Sequence, residues 1–231
     1  MTSNPVYLLH GFGTSAARTW RDNGWIDLLA DAGREVIAPD LLGHGGQPKS
    51  HDPDDYAEVE AAALSALDHL PDGAKVDAIG FSMGSRTILA IACQHPERFD
   101  RIIVSGVGAN LFRPDDEPSF LADAIVADAV PENPAAAYFH QMARTPGNDP
   151  LALAAFLRRP KRWPITDDGL ARITTPVLVV IGDNDFAGPA DPLVERLPDA
   201  TEVILARTDH FATPKNFQFL DAALDFLDAA P

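Results

Sequence analysis

Cysteine is nearly absent from this chain: Cys93 is the single one in 231 residues. One thiol cannot close an internal disulfide, so the fold is not expected to depend on an oxidising compartment. Cys93 lies in the apolar run "TILAIACQHP", which predicts a packed core thiol and not a nucleophile. Basic residues are also scarce. Lys and Arg number 18 against 34 Asp and Glu, a formal net charge of -16. Nucleic-acid phosphates require clustered cations, so nucleic acid is not an expected partner. No polybasic run or basic amphipathic face is offered to an anionic membrane. No stretch approaches the roughly 20 apolar residues that span a bilayer. The N-terminal "MTSNPVYLLHG" lacks a cationic segment followed by a long apolar one, so no signal peptide is expected. The default expectation is a cytoplasmic, soluble protein whose acidity serves solubility.

What is present is a hydrophobic fraction of 46%, enough for one sizeable core. Short apolar runs alternate with longer helical patterns. "VYLLHGFG" (6–13), "EVIAPDLLG" (35–43), "KVDAIGFS" (75–82), "RIIVSGVG" (101–108), "PVLVVIGD" (176–183) and "TEVILA" (201–206) read as strands. Most are continuous, not alternating, as in a parallel sheet covered on both faces. Helices are expected over 23–33, 54–70, 83–95 and 214–230. The last places Phe217, Leu220, Leu224 and Leu227 on one stripe. Strand, helix, strand in repetition predicts a doubly wound α/β domain.

About sixty residues separate the strands at 101–108 and 176–183, and they hold eight of the chain's 20 prolines. Short helical patterns there, "FLADAIVADAV" and "AAAYFHQMA", carry Phe112, Phe120, Phe139, Met142, Phe156 and Trp163 nearby. Large apolar groups at that density must bury against something. The expectation is a helical lid over 112–165, with the α/β core formed by 1–111 and 166–231.

The chemistry centres on "AIGFSMGSRTI" (78–88). A Gly-x-Ser-x-Gly pattern alone is weak evidence, but here Ser82 ends a predicted strand and opens a predicted helix. Small residues at 80 and 84 would let strand and helix approach closely while the serine is held exposed. The helix N-terminus adds free N–H groups and the positive end of its dipole. A serine hydroxyl needs a base in hydrogen-bond reach, and the base needs an orienting acid. His210 is the best placed of seven histidines, in a loop after the last predicted strand. Asp183 and Asp185, in "VVIGDNDFAG", end the preceding strand. Sites of open α/β sheets lie at that carboxyl edge, so the three groups are expected to converge there.

The chain resembles the α/β-hydrolase superfamily over nearly its whole length. "HGFG" (10–13) is similar to the family's oxyanion motif, "DLLGHG" (40–45) to the segment after the next strand, and "GFSMG" (80–84) to the nucleophile elbow. "GDND" (182–185) is similar to the acid turn and "DHF" (209–211) to the histidine loop. The resemblance implies Ser82 as nucleophile, His210 as general base and acid, and Asp185 as the orienting acid. Asp183 is the runner-up and more suited to bracing the turn. It also implies an oxyanion hole from the backbone N–H groups of Phe12 and Met83. The family commonly has two more strands before the "HG" strand, so a mostly parallel sheet of about six strands is expected here. The histidine loop "ARTDHF" lacks the glycine often found just before the histidine. His10 and His44 are expected to brace loops. His51, His69, His95 and His140 read as surface or packing residues. Trp20 and Trp25 serve either core or pocket. No metal and no cofactor is called for.

Three functions remain open on the sequence. The first is a carboxylesterase-like serine hydrolase that cleaves a small, largely apolar ester or thioester through an acyl-enzyme. The second keeps the triad but acts as a carbon–carbon bond hydrolase, perhydrolase or lyase. The third is a non-catalytic binding protein on the same fold. The expected partner is a small-molecule substrate, with the oligomeric state left open. Arg158, Arg159, Lys161 and Arg162 in "FLRRPKRW" read as a solvated face, with contact to an anionic carrier such as coenzyme A as the alternative.

Overall fold

A computed structural model describes residues 4–113 and 116–229. The elements run β1 (Val6–Leu9), α1 (Trp25–Asp31), β2 (Val36–Ile37), α2 (Val59–Ser65), β3 (Val76–Phe81), α3 (Met83–Gln94) and β4 (Phe99–Ser105). Four helices follow: α4 (Asp116–Val126), α5 (Pro134–Ala143), α6 (Pro150–Arg158) and α7 (Asp167–Ala171). The chain closes with β5 (Val177–Gly182), α8 (Asp191–Val194), β6 (Ala200–Leu205) and α9 (Phe217–Phe226).

The six strands form one sheet in the order β2-β1-β3-β4-β5-β6, and every neighbouring pair is parallel. The chain moves outward from β1 to β2, then returns to the other side of β1 with β3. The strand order therefore reverses between β1 and β3, where such sheets open a crevice. Residues 10–13 and Ser82 leave these two strands side by side.

Both faces of the sheet's interior are covered, which explains the continuous apolar runs there, while the edge strand β6 is largely open to solvent. Tyr7 and Leu9 of β1 face the layer of α2 and α3, while Val6 and Leu8 face that of α1 and α9. Strands β1, β3 and β5 are buried along their whole length. Helix α3 is buried from Met83 to Cys93 except at Arg86, and Cys93 is a core thiol. Trp20 and Trp25 pack edge to face at 5.3 Å in the core and not in the pocket described below.

Three expectations need correction. Strand β2 is much shorter than 35–43, since Pro39 has no N–H with which to continue the ladder. The expected helix over 54–70 breaks into a 3₁₀ turn, Pro53–Tyr56, and α2. Asp52 caps that turn through the Asp54 N–H at 3.0 Å. In α9 the buried aromatic is Phe219, 4.7 Å from Trp25, while Phe217 is 81% exposed. Asn216 caps α9 at the Gln218 N–H, so the helix starts three residues later than expected and Phe217 lies on its open first turn.

Helices α4, α5 and α6 build a small core of their own from Ala122, Ile125, Ala143, Leu153 and Ala154, packed against Phe12, Phe139 and Leu157. Their prolines start helices: Pro134 and Pro150 each follow a side-chain cap, Asn133 and Asp149. Phe156 is buried as expected, in the main core beside Tyr56, but Phe120 is 51% exposed and Phe112 is open at the surface. Among the described residues no helix is long and apolar enough to cross a membrane.

Below the sheet, Arg34 pairs with Asp77 with both side chains nearly dry. The same guanidinium donates to the carbonyls of Asn4 and Leu227, tying β3 to both ends of the described chain. Asp77→Ala would leave that cation buried without its carboxylate. It is expected to cost about 3–5 kcal/mol, read as a lower midpoint in urea unfolding.

Candidate active site

Ser82 joins β3 to α3 with φ 52° and ψ -109°, a backbone region that side chains other than glycine rarely occupy. Such strain costs on the order of 1–3 kcal/mol and persists only where the surroundings enforce it. Its neighbours do so. A Cβ at position 80 would lie 2.6 Å from the Ser85 backbone, and one at position 84 would run into the Leu9 carbonyl. The two glycines are thus required by the approach of α3 to β3 and β1. A buried hydroxyl pair completes the clamp. Ser85 Oγ donates to the Ser105 carbonyl (2.8 Å) and accepts from the Ser105 N–H (2.9 Å). Ser105 Oγ donates to the Gly80 carbonyl (2.8 Å).

The other two side chains arrive from the ends of β5 and β6. His210 Nδ1 lies 2.9 Å from both carboxylate oxygens of Asp185, and its Nε2 lies 2.9 Å from Ser82 Oγ. With Nδ1–H donating to the carboxylate, Nε2 is left to accept from the hydroxyl. Asp185 and His210 are both buried. Asp185 also accepts from the Ala187 N–H (2.8 Å), which fixes its rotamer. The rings of Phe81 and Phe186 flank the imidazole at 5.0 and 4.4 Å.

Asp183 does not touch His210. It accepts from the Thr208 N–H (3.0 Å), and backbone N–H groups of Arg207 and Thr208 hold its carboxyl below its ordinary value. Asp209 accepts from the Phe211 and Ala212 N–H groups and so shapes the loop locally. The left-handed residue that a glycine would supply in this loop is Arg207, at φ 54°.

Phe12 and Met83 line one cavity of about 630 Å³ together with Ser82 and His210. Met83 is the first residue of α3, so its N–H has no helical carbonyl to bond. Behind Phe12 stand two buried histidines. His10 Nδ1 contacts the Gly11 carbonyl (2.7 Å) and its Nε2 accepts from the Leu41 N–H (3.0 Å). His44 Nδ1 contacts the Leu42 carbonyl (3.0 Å), and its ring lies 5.4 Å from Phe12 and 5.1 Å from Phe156. Both brace loops as expected. An aromatic contact absent from the sequence reading closes the rim: Tyr138 of α5 stacks on Phe211 at 3.9 Å. Among the described residues no three metal-ligating side chains cluster.

Burial, with His10 beside it, pulls His44 from its ordinary 6.5 down to about 3. The unfolded chain therefore binds this proton more readily than the folded one. The resulting stability is complete above about pH 6.5 and is lost as pH falls from there towards 3. Melting temperatures between pH 7.5 and 4 should fall on acidification, with a shallower slope in His44→Gln. An unchanged slope would contradict this account.

A strained serine at the switch point of a parallel sheet, joined to a histidine and an aspartate from the next two strand ends, defines a class. The statistical model of the α/β hydrolase fold family matches residues 4–149, and the chain belongs to that family. It is 28% identical over 249 residues to a 2-hydroxy-6-oxononadienedioate/2-hydroxy-6-oxononatrienedioate hydrolase of Burkholderia vietnamiensis, covering 96% of this chain and 86% of that protein. Among solved structures it is similar to the 2-hydroxy-6-oxo-6-phenylhexa-2,4-dienoate hydrolase BphD of Rhodococcus sp. strain RHA1. That match has 25% identity and a TM-score of 0.67, over 99% of this chain and 91% of that one. MenH from S. aureus shares the fold with a TM-score of 0.77 at 21% identity, over 99% and 94% of the two chains. The relatives named as dienoate or dienedioate hydrolases agree with the second function left open by the sequence better than with the first.

Proposed function

We propose that this chain is a serine hydrolase that cleaves a carbon–carbon bond beside a ketone carbonyl. The hydrogen-bonded line Ser82–His210–Asp185 on the wall of the cavity carries the reading. The relatives' substrates supply the bond type. A 2-hydroxy-6-oxo-dienoate contains a ketone, an enol and carboxylate but no ester, so its hydrolysis breaks a carbon–carbon bond.

In this mechanism Ser82 Oγ attacks the carbonyl carbon and gives its proton to His210 Nε2. Asp185 orients the ring and balances the imidazolium. The oxyanion is held by the N–H groups of Phe12 and Met83. Because the carbon that leaves is vinylic in the dienol, the substrate first ketonises, losing the enol proton and gaining one at that carbon; as the tetrahedral centre then collapses, the leaving group departs as a delocalised dienolate and takes the proton from His210. Water, deprotonated by the same nitrogen, then releases the acid from Ser82. Helices α4 to α6, within 112–165, serve as the lid over a core of 1–111 and 166–231, and a small molecule is the partner.

Ester hydrolysis by the same groups is the second reading, favoured by the apolar walls at Leu121, Phe139, Met142 and Leu157. Turnover of vinylogous 1,5-diketones is expected to exceed that of p-nitrophenyl esters in kcat/KM; the reverse order selects the second reading. Ser82→Ala should abolish both activities, and retention of either would overturn the mechanism. Asp185→Asn is expected to lower kcat by about 10⁴-fold and Asp183→Asn by less than about tenfold, since only the former sets the histidine tautomer.

A further inference from the structure

The turn that carries the Phe12 N–H is held from two sides, and only one of them belongs to the sheet. The Gly11 carbonyl and the Phe12 N–H share one trans peptide plane, so the direction of that N–H follows from where the carbonyl points. His10 fixes it from the core. Its Nε2 accepts from the Leu41 N–H, so Nδ1 carries the proton and donates to the Gly11 carbonyl at 2.7 Å. Two residues on, the chain turns at Gly13 with φ 67°. Glycine has the greatest freedom of any residue to leave such a conformation.

The second hold comes from the segment that joins α5 to α6. Asn148 Nδ2 donates to the Gly13 carbonyl at 2.7 Å and to the Met142 carbonyl at 3.0 Å. Both partners only accept, so the amide nitrogen, and not the amide oxygen, faces them. The Met142 thioether fills the place that a Cβ at position 13 would take. Beyond the turn, the Arg18 guanidinium donates to the Pro146 carbonyl. The segment is itself stiff. The Thr145 N–H donates to the Met142 carbonyl (3.1 Å) and the Asn148 N–H to the Thr145 carbonyl (3.0 Å). Its far end is pinned by Asp149, which caps α6 at the Leu151 N–H (2.9 Å) and meets His51 Nε2 at 2.9 Å.

We infer that Asn148 is a positioning residue for the oxyanion hole, acting on the Phe12 N–H through the Gly13 carbonyl. The inference rests on the proposed reaction, since the hole is needed only where an oxyanion forms at Ser82. The Phe12–Gly13 peptide plane lies between the two that His10 and Asn148 hold, so release of one end frees Phe12 to rotate. Asn148 is not among the described residues that line the cavity, and its loss removes no wall from the substrate. It is therefore expected to serve the transition state and not the binding of the ground state.

Asn148→Ala removes both donors, and Asn148→Asp keeps the size but offers acceptors in their place. On whichever of the diketones or esters turns over faster, each should lower kcat at least about tenfold with KM changed less than about threefold. Inhibition by a trifluoromethyl ketone, whose adduct on Ser82 bears the oxyanion, should weaken by the same factor as kcat/KM. Deuterium exchange over residues 10–16 should quicken in both variants. Arg144→Gln tests a merely structural loss, because Arg144 ties the inserted helices together through the carbonyls of Ile125, Ala127 and His140. It should leave kcat within about threefold. Unchanged kcat in the Asn148 variants, a loss carried by KM, or an equal loss in Arg144→Gln would overturn the inference. An unsubstituted chain that neither turns over these substrates nor takes up a fluorophosphonate removes the hydrolase reading and the inference with it. Turnover that the Asn148 variants retain in full removes the inference alone.

Discussion

The contact on which the site depends is that of Gly84 with the Leu9 carbonyl. No side-chain carbon fits there, so the first turn of α3 sits directly on the end of β1. Because the helix is drawn in so far, the residue before it must take the left-handed conformation seen at Ser82. Two consequences share this cause: the hydroxyl projects beyond the strand end, and a ring arriving from beyond β6 reaches Oγ at 2.9 Å. The Ser85–Ser105 hydroxyl pair holds the arrangement from below, where both groups are dry and each bond would be costly to leave unmade.

Much of this was legible in the sequence because local chemistry demanded it. Glycine on both sides of a serine between a strand and a helix has few structural uses. Most of the apolar runs lack alternation, as strands covered on both faces require, and β1, β3 and β5 are buried throughout. Ser82, Asp185 and His210 meet as their places at three strand ends implied. What escaped the sequence depends on tertiary contact. Ser85 and Ser105 are ordinary serines until α3 is laid across β3 and β4. The missing glycine of the histidine loop is compensated by Arg207, a residue type with no turn signature. Phe217 and Phe219 differ in burial by the whole side chain because one cap, Asn216, shifts the start of α9. Periodicity identifies that an apolar face exists more reliably than which residues stand on it.

The helices between β4 and β5 bear on the site through two aromatic links, the first at Phe12. Their small core closes on Phe12, which also packs against His44 and Phe156. Phe12 belongs to the turn after β1, so the position of these helices and that of the turn are mechanically linked. Interiors packed at this density shift as units, not by continuous deformation. A second link runs from Tyr138 of α5 to Phe211, the neighbour of His210. The inserted helices thus touch both the turn beside the serine and the loop that carries the histidine.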